Sequence, residues 1–162
     1  MGKIKLYLDT NMVLDLFINQ AKYFKDKREL KIPEKSKFIL DNIENLEIIV
    51  SFLVEAEMTR ELVAGHGMPE DIVNSVWEDF IRTYNCKYIE SFKFDRSLVD
   101  MVSKIKMKLR TMFNFQHLFI AMHENAYFVS GDKDIAKKIR ELKVYDKVIS
   151  YPELRELISK LS

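Results

Sequence analysis

The chain of 162 residues contains one cysteine, Cys86. A single thiol closes no internal disulfide, and no Cys-x-x-Cys pair is present for zinc or redox chemistry. Without an oxidative framework the expected location is a reducing cytoplasm. Glycine and proline are scarce, at 4 and 3 residues, which argues against a disordered chain and against a turn-dense, β-rich fold. No apolar run approaches the ~20 residues that span a bilayer. The opening Met1-Gly2-Lys3-Ile4-Lys5 lacks the apolar stretch of a signal peptide, so no membrane partner is expected. An excess of one charge sign is also missing. Lys plus Arg is 26 and Asp plus Glu is 25, for a formal net charge of +1. That balance excludes a polybasic arm or a long acidic tail, but a local basic face can still hide in a neutral total.

What is present is ordinary for a globular protein: 48% hydrophobic and 31% charged residues. The length fits a single domain over residues 1–162, and no repeat or linker interrupts it. Lys5–Asp9 reads as a short buried strand, followed by helix-start chemistry at Asp9-Thr10-Asn11 and an apolar helix. Residues 20–32 are strongly charged and read as a surface loop or irregular helix, and Pro33 opens the next helix. Residues 47–51 form the second predicted strand, with a helix over roughly 53–64 and another from Pro69. Residues 86–89 form a third strand. Asp95 is the expected N-cap of a long helix reaching Leu109. Asn114 is placed at the start of a helix through His123. A fourth strand over 126–130, a helix over 132–142, a short strand over 147–150 and a helix opened by Pro152 complete the chain.

Strands therefore alternate with helices, and no strand turns directly into another. This predicts a three-layer α/β/α fold with a mostly parallel central sheet. In such sheets ligands bind at the carboxyl ends of the strands. The residues leaving those ends are Asp9, Thr10 and Asn11 after the first strand, Glu55 and Glu57 after the second, and Asp132 and Asp134 after the fourth. Carboxylates brought together repel unless a cation compensates. An acidic cluster without His or Cys ligands favours hard ions such as Mg²⁺ or Mn²⁺, which can activate water against a phosphodiester. At each position a plainer role competes: a helix cap for Asp9 and Asp132, a solvated helix face for Glu57.

Three segments in order resemble the PIN domain family, a nuclease fold that includes toxin ribonucleases of toxin–antitoxin pairs. Leu6-Tyr7-Leu8-Asp9-Thr10-Asn11 is similar to the family's opening strand and Asp-Thr-Asn signature. Ser51-Phe52-Leu53-Val54-Glu55-Ala56-Glu57-Met58 resembles its second motif, which selects Glu57 over Glu55 because the acid follows the serine by six residues. Tyr127-Phe128-Val129-Ser130-Gly131-Asp132 resembles its strand-Ser-x-Asp motif. The third motif departs: the family carries an acid where this chain has Asn114, or Gln116 in an alignment shifted by two. Asn114 is the preferred match because it also suits a helix start. Asn offers a carbonyl oxygen but no negative charge. Two explanations stay open, a natural Asn and an inactivating Asp-to-Asn substitution, and an ordinary N-cap role is compatible with both.

The resemblance implies a PIN-like, metal-dependent endoribonuclease. Asp9, Glu57 and Asp132, with Asn114 at the fourth position, would hold Mg²⁺ or Mn²⁺ and carry the catalysis. Asn11 and Ser130 would orient those ligands or the scissile phosphate. The implied partners are an RNA substrate, a second copy of the chain and an antitoxin protein. A catalytically silent RNA-binding or regulatory module is the alternative. A phosphatase-like receiver is a third class; it could use Asp9 but has no role for Glu57.

Outside these motifs, Lys104, Lys108 and Arg110 are candidates for gripping RNA phosphates, against the plainer reading of a solvated helix face. Lys137, Lys138 and Arg140 have the same ambiguity. His117 and His123 read as structural histidines. Met58, Met101, Met107, Met112 and Met122 read as packing. Tyr23, Phe24 and Trp77 are candidates for a partner surface.

Overall fold

The computed structural model describes residues 2–16, 32–105, 112–131 and 133–161. Its sheet contains β1 (Ile4–Leu8), β2 (Leu46–Ser51), β3 (Lys87–Ile89), β4 (Tyr127–Ser130) and β5 (Val148–Ser150) in the order β3-β2-β1-β4-β5. All four pairings are parallel. The helices are α1 (residues 10–16), α2 (Glu34–Asp41), α3 (Phe52–Arg60), α4 (Glu70–Thr83), α5 (Arg96–Lys104), α6 (Met112–His123), α7 (Lys133–Glu141) and α8 (Tyr151–Ser159). The expected α/β architecture is therefore present, and its strands are parallel throughout rather than mostly so. None of the helices among the described residues is long and apolar enough to cross a membrane.

Parallel strands covered on both faces carry near-continuous apolar runs rather than alternation. Leu6, Tyr7 and Leu8 in β1 and Ile48, Ile49 and Val50 in β2 obey that rule, and all are buried. The central position of β1 determines where a crevice forms. The chain leaves β1 to build β2 and β3 on one side, then returns to build β4 and β5 on the other. The strand order reverses at β1, and the carboxyl end of such a switch point opens a crevice. Tyr7 pairs with Ile49 on one side and Phe128 on the other, and the Asp9 amide donates to the Val129 carbonyl at 3.3 Å.

Element ends differ from the sequence reading in instructive ways. Helix α3 runs only to Arg60 and continues as a π-turn over Glu61–Gly65. Helix α5 stops at Lys104, well short of Leu109. Asp95 caps α5 as expected, accepting from the Ser97 amide at 2.8 Å. Helix α6 is described over Met112–His123, so Asn114 lies within the helix and is not its N-cap. Asn85 and Asn125, with φ of 47° and 52°, come after α4 and α6 in the left-handed conformation that a short polar side chain tolerates.

Two expectations about side chains are corrected. Trp77 does not offer a partner surface: it is 5% exposed and lies parallel to the Phe80 ring at 5.7 Å. Met112 is not a packing residue, being 51% exposed in α6. Tyr23, Phe24 and Met107 lie outside the described residues, as does most of the charged stretch 20–32. Burial pushes the Cys86 thiol up to about 12, which disfavours its reactive thiolate form.

Arg140 is committed to the fold. Its guanidinium bonds the Val148 carbonyl at 2.9 Å and Glu153 at 2.7 Å. Glu153 also accepts from the Ser150 amide at 2.7 Å, closing the start of α8. The Arg140 hydrogen bond holds the Glu153 carboxyl below its ordinary value of 4.5. A depressed carboxyl stabilises the fold above its ordinary value, and that contribution is lost as pH falls through the folded value. The pair is partly exposed, so it is worth under about 1 kcal/mol, or about 2–4 °C at this chain length. Glu153→Gln should melt below wild type at pH 6, with the gap closing in melts taken below pH 4.5. A gap that stays constant with pH would contradict this.

Candidate functional site

At the carboxyl end of β1 lies a cleft of about 310 Å³. Asp9, Thr10 and Asn11 reach it from the β1 exit, Glu57 from α3 and Asn114 from α6. Three stretches that are far apart in sequence thus converge on one pocket. Of the expected residues, Asp9, Glu57, Asn114 and Asn11 line it. Glu55 does not; its carboxylate accepts the Tyr88 hydroxyl instead. Glu57 faces the cleft and Glu55 does not, because two residues along a helix turn the side chain by about 200°. Ser130 is buried at the end of β4 and its hydroxyl bonds Asp9. Asp132, Lys108 and Arg110 lie outside the described residues, and Lys104 is exposed at the end of α5.

Asp9 is fixed by its surroundings. One oxygen accepts from the Met12 amide at 2.8 Å, which caps α1, and the other from the Gly131 amide at 3.4 Å. The same side chain therefore caps α1 and lines the cleft. Burial nevertheless lifts the Asp9 carboxyl above its ordinary value, against the lowering effect of those amides, His117 and Ser130. Glu57 is held by two donors on the same oxygen, the Thr10 hydroxyl at 3.0 Å and Nε2 of His117. His117 is 1% exposed. Its Nδ1 lies 2.7 Å from the Tyr7 hydroxyl, which is also 2.7 Å from Ser51 Oγ. Burial keeps that phenol well above the usual tyrosine range. His117 is buried, and its polar contacts run from Tyr7 to Glu57 rather than ending in apolar packing. His123 sits elsewhere, against the edge of the Phe92 ring.

The sequence reading missed Arg60 and Glu61, which also line the cleft. Their signal was spacing: they come three and four residues after Glu57 and so share its helical face. It missed Thr10 and His117 as partners of Glu57, since nothing in the sequence joins residues so far apart.

The donors present fit a hard divalent ion. The cleft offers the carboxylates of Asp9, Glu57 and Glu61, the amide oxygen of Asn114 and the Thr10 hydroxyl. Mg²⁺ is usually held by one or two carboxylates together with waters and substrate oxygens. A half-buried carboxylate lifted above its ordinary value is also one that a cation would relieve. Among the described residues no three His, Cys, Asp or Glu side chains form a metal-holding group.

The backbone as a whole matches solved structures. Protein PAE2754 from Pyrobaculum aerophilum superposes with a TM-score of 0.58 at 11% identity, over 97% of this chain and 96% of that one. VapBC2 from Rickettsia felis, solved bound to a DNA fragment from their promoter, superposes with a TM-score of 0.55 at 15% identity, over 91% of this chain and 98% of that one. The fold is PIN-like. No family model matches the sequence, and no curated protein does. At such low identities the PIN-like likeness extends to the path of the chain, and the chemistry of the cleft must be argued from its own side chains.

Proposed function

We propose that this protein is a PIN-type endoribonuclease dependent on Mg²⁺ or Mn²⁺. The observation that carries the reading is the convergence of Asp9, Glu57 and Asn114 on one cleft at the switch point of a PIN-like fold. Asp9 and Glu57 would hold the ion, with Asp132 as a further proposed ligand and Asn114 giving a neutral oxygen. A divalent ion bound there supplies Lewis acidity toward water and toward the charge that develops on the phosphodiester. The protein's own groups do the rest. The amides of Met12 and Gly131 orient Asp9, the Ser130 hydroxyl supports it, and Thr10 orients Glu57. Asn11, which also lines the cleft, would bond the scissile phosphate.

Arg60 would take a substrate phosphate. It is an exposed guanidinium on the wall of an otherwise acidic cleft, and a planar two-pronged donor suits phosphate oxygens. Lys104, Lys108 and Arg110 remain proposed contacts for the rest of the strand. Arg60→Ala should raise KM for single-stranded RNA about tenfold, the loss of roughly one charge-assisted contact, and should lower kcat much less. Steady-state kinetics check this, and an unchanged KM would remove Arg60 from the substrate site.

The direct test of the activity is cleavage of single-stranded RNA by the wild-type protein, with Mn²⁺ and with chelator. Metal-dependent cleavage is expected. The neutral Asn114 favours one second reading, a silent RNA-binding module. RNA binding without cleavage, by wild type and by Asn114→Asp alike, would establish that reading and overturn the nuclease. An antitoxin protein and a second copy of this chain are the proposed protein partners, and the cytoplasm is the proposed location.

A further inference from the structure

The carboxylate of Glu57 is held from behind by a line of buried groups that cleavage does not itself need. Ser51 closes β2, Tyr7 lies in β1 and His117 in α6, and none of the three is reached by solvent to any useful degree. The Tyr7 hydroxyl oxygen is 2.7 Å from Ser51 Oγ and 2.7 Å from His117 Nδ1. Beyond the ring, His117 Nε2 meets Glu57 Oε1, the same oxygen that receives the Thr10 hydroxyl.

The direction of each bond is set by the acceptor-only end. A carboxylate can only accept, so Nε2 carries the hydrogen. With the ring neutral, Nδ1 is an acceptor and the Tyr7 hydroxyl donates to it. The Tyr7 oxygen is left to accept from Ser51. The line reads Ser51 to Tyr7 to His117 to Glu57, with every donor used once. A histidine required only to fill space would not need a phenol to fix its tautomer, nor a carboxylate as its terminus.

We infer that Tyr7 and His117 are positioning residues that fix the Glu57 carboxylate with Oε1 turned to the fold, leaving Oε2 to meet a hard divalent cation in the cleft. This rests on the metal-dependent reading of the cleft. Partners that stand behind a metal ligand typically change metal affinity tenfold to a hundredfold when removed. The two donors on Oε1 also come from different elements, α1 and α6. Each therefore restrains the carboxylate independently of the α3 backbone.

The test is titration calorimetry with Mn²⁺ alone on wild type, Asp9→Asn, His117→Phe, His117→Gln and Tyr7→Phe, with thermal melts to show which variants fold. Nitrogen NMR of the wild-type imidazole runs alongside. His117→Phe should weaken Mn²⁺ binding about tenfold or more, and His117→Gln, which keeps an N–H donor, should stay within about threefold of wild type. Tyr7→Phe, which frees the ring to exchange tautomers, should weaken binding several-fold. The spectrum should show hydrogen on Nε2 and none on Nδ1. If His117→Phe does not fold, Tyr7→Phe and the spectrum decide. Unchanged Mn²⁺ affinity in a folded His117→Phe or Tyr7→Phe, or hydrogen on Nδ1 alone, would overturn the inference and leave the metal site standing. Absence of Mn²⁺ binding by wild type would remove the metal site and the inference together.

Discussion

Replacing Asp9 with Asn is expected to abolish metal-dependent RNA cleavage while raising the melting temperature in chelator at pH 7. The two effects have one cause. Burial lifts the Asp9 carboxyl above its ordinary value of 3.8, so its charged form costs more in the folded chain than in the unfolded one. For an acid raised in this way, the fold is favoured below the ordinary value, and that advantage is lost as pH rises through the folded value. At pH 7 the wild type therefore carries a half-buried, partly desolvated charge at a cost in stability. Asn carries none, and its side-chain oxygen can still accept from the Met12 amide that caps α1. A gain of a few degrees is expected, at about 2–4 °C for each kcal/mol relieved.

Mn²⁺ should reverse the order, raising the wild-type melting temperature through binding to the folded state and leaving Asp9→Asn unmoved. Loss of a metal-holding carboxylate should lower kcat/KM by about a hundredfold or more, since several kcal/mol of charge stabilisation depend on the bound ion. Melts at pH 7 and pH 4, with and without Mn²⁺, together with initial cleavage rates, check all of this. A variant that cleaves like wild type would remove Asp9 from the chemistry. A variant less stable than wild type in chelator at pH 7 would show that its role as a cap outweighs its partly desolvated charge.

Asn114→Asp carries the second large effect, in the opposite sense. It adds a negative charge to a cleft that already holds Asp9 and Glu57. Without a cation the new carboxylate repels both, so the apo melting temperature should fall. With a cation it becomes a charged ligand where a neutral amide stood. Mn²⁺ affinity should rise by about tenfold or more, about 1.4 kcal/mol or above, and the cleavage rate should rise with it. Calorimetry and single-turnover kinetics read the two gains separately. If neither affinity nor rate changes, Asn114 takes no part in the site although it lines the cleft. Because Asn114 lies within α6 and is not its cap, the near-isosteric substitution removes no capping bond, and the readout is of charge.

Much of the candidate site was legible in the sequence because its residues sit at fixed offsets from elements that announce themselves. Asp9 comes directly after an apolar strand, and Glu57 lies six residues beyond Ser51 on the helix that the second strand runs into. Asn114 was found by its distance from Asp132 even though it is not an acid. The boundaries around them were less legible. The stop of α5 at Lys104 and the π-turn after α3 break helical periodicities that continue in the sequence, because apolar spacing records which face is buried and not where the hydrogen-bond ladder ends. Trp77 and Met112 were misjudged for a related reason. A lone tryptophan looks like a partner anchor until Phe80 is seen under it, and a methionine at core spacing still stands exposed on its helix.

The sequence by itself determined the alternation of strand and helix, the acids at the strand exits and the absence of any internal disulfide. These obey local rules, since apolar runs, caps and spacing act within a few residues along the chain. Only the tertiary structure decided that Thr10 and His117 meet on one oxygen of Glu57, that Tyr7 stands behind the histidine, that Arg60 shares the cleft and that Arg140 is tied to Glu153. Hydrogen bonds and ion pairs depend on distances of about 3 Å, and the packing of α6 and α3 against the sheet, rather than separation along the chain, sets those distances.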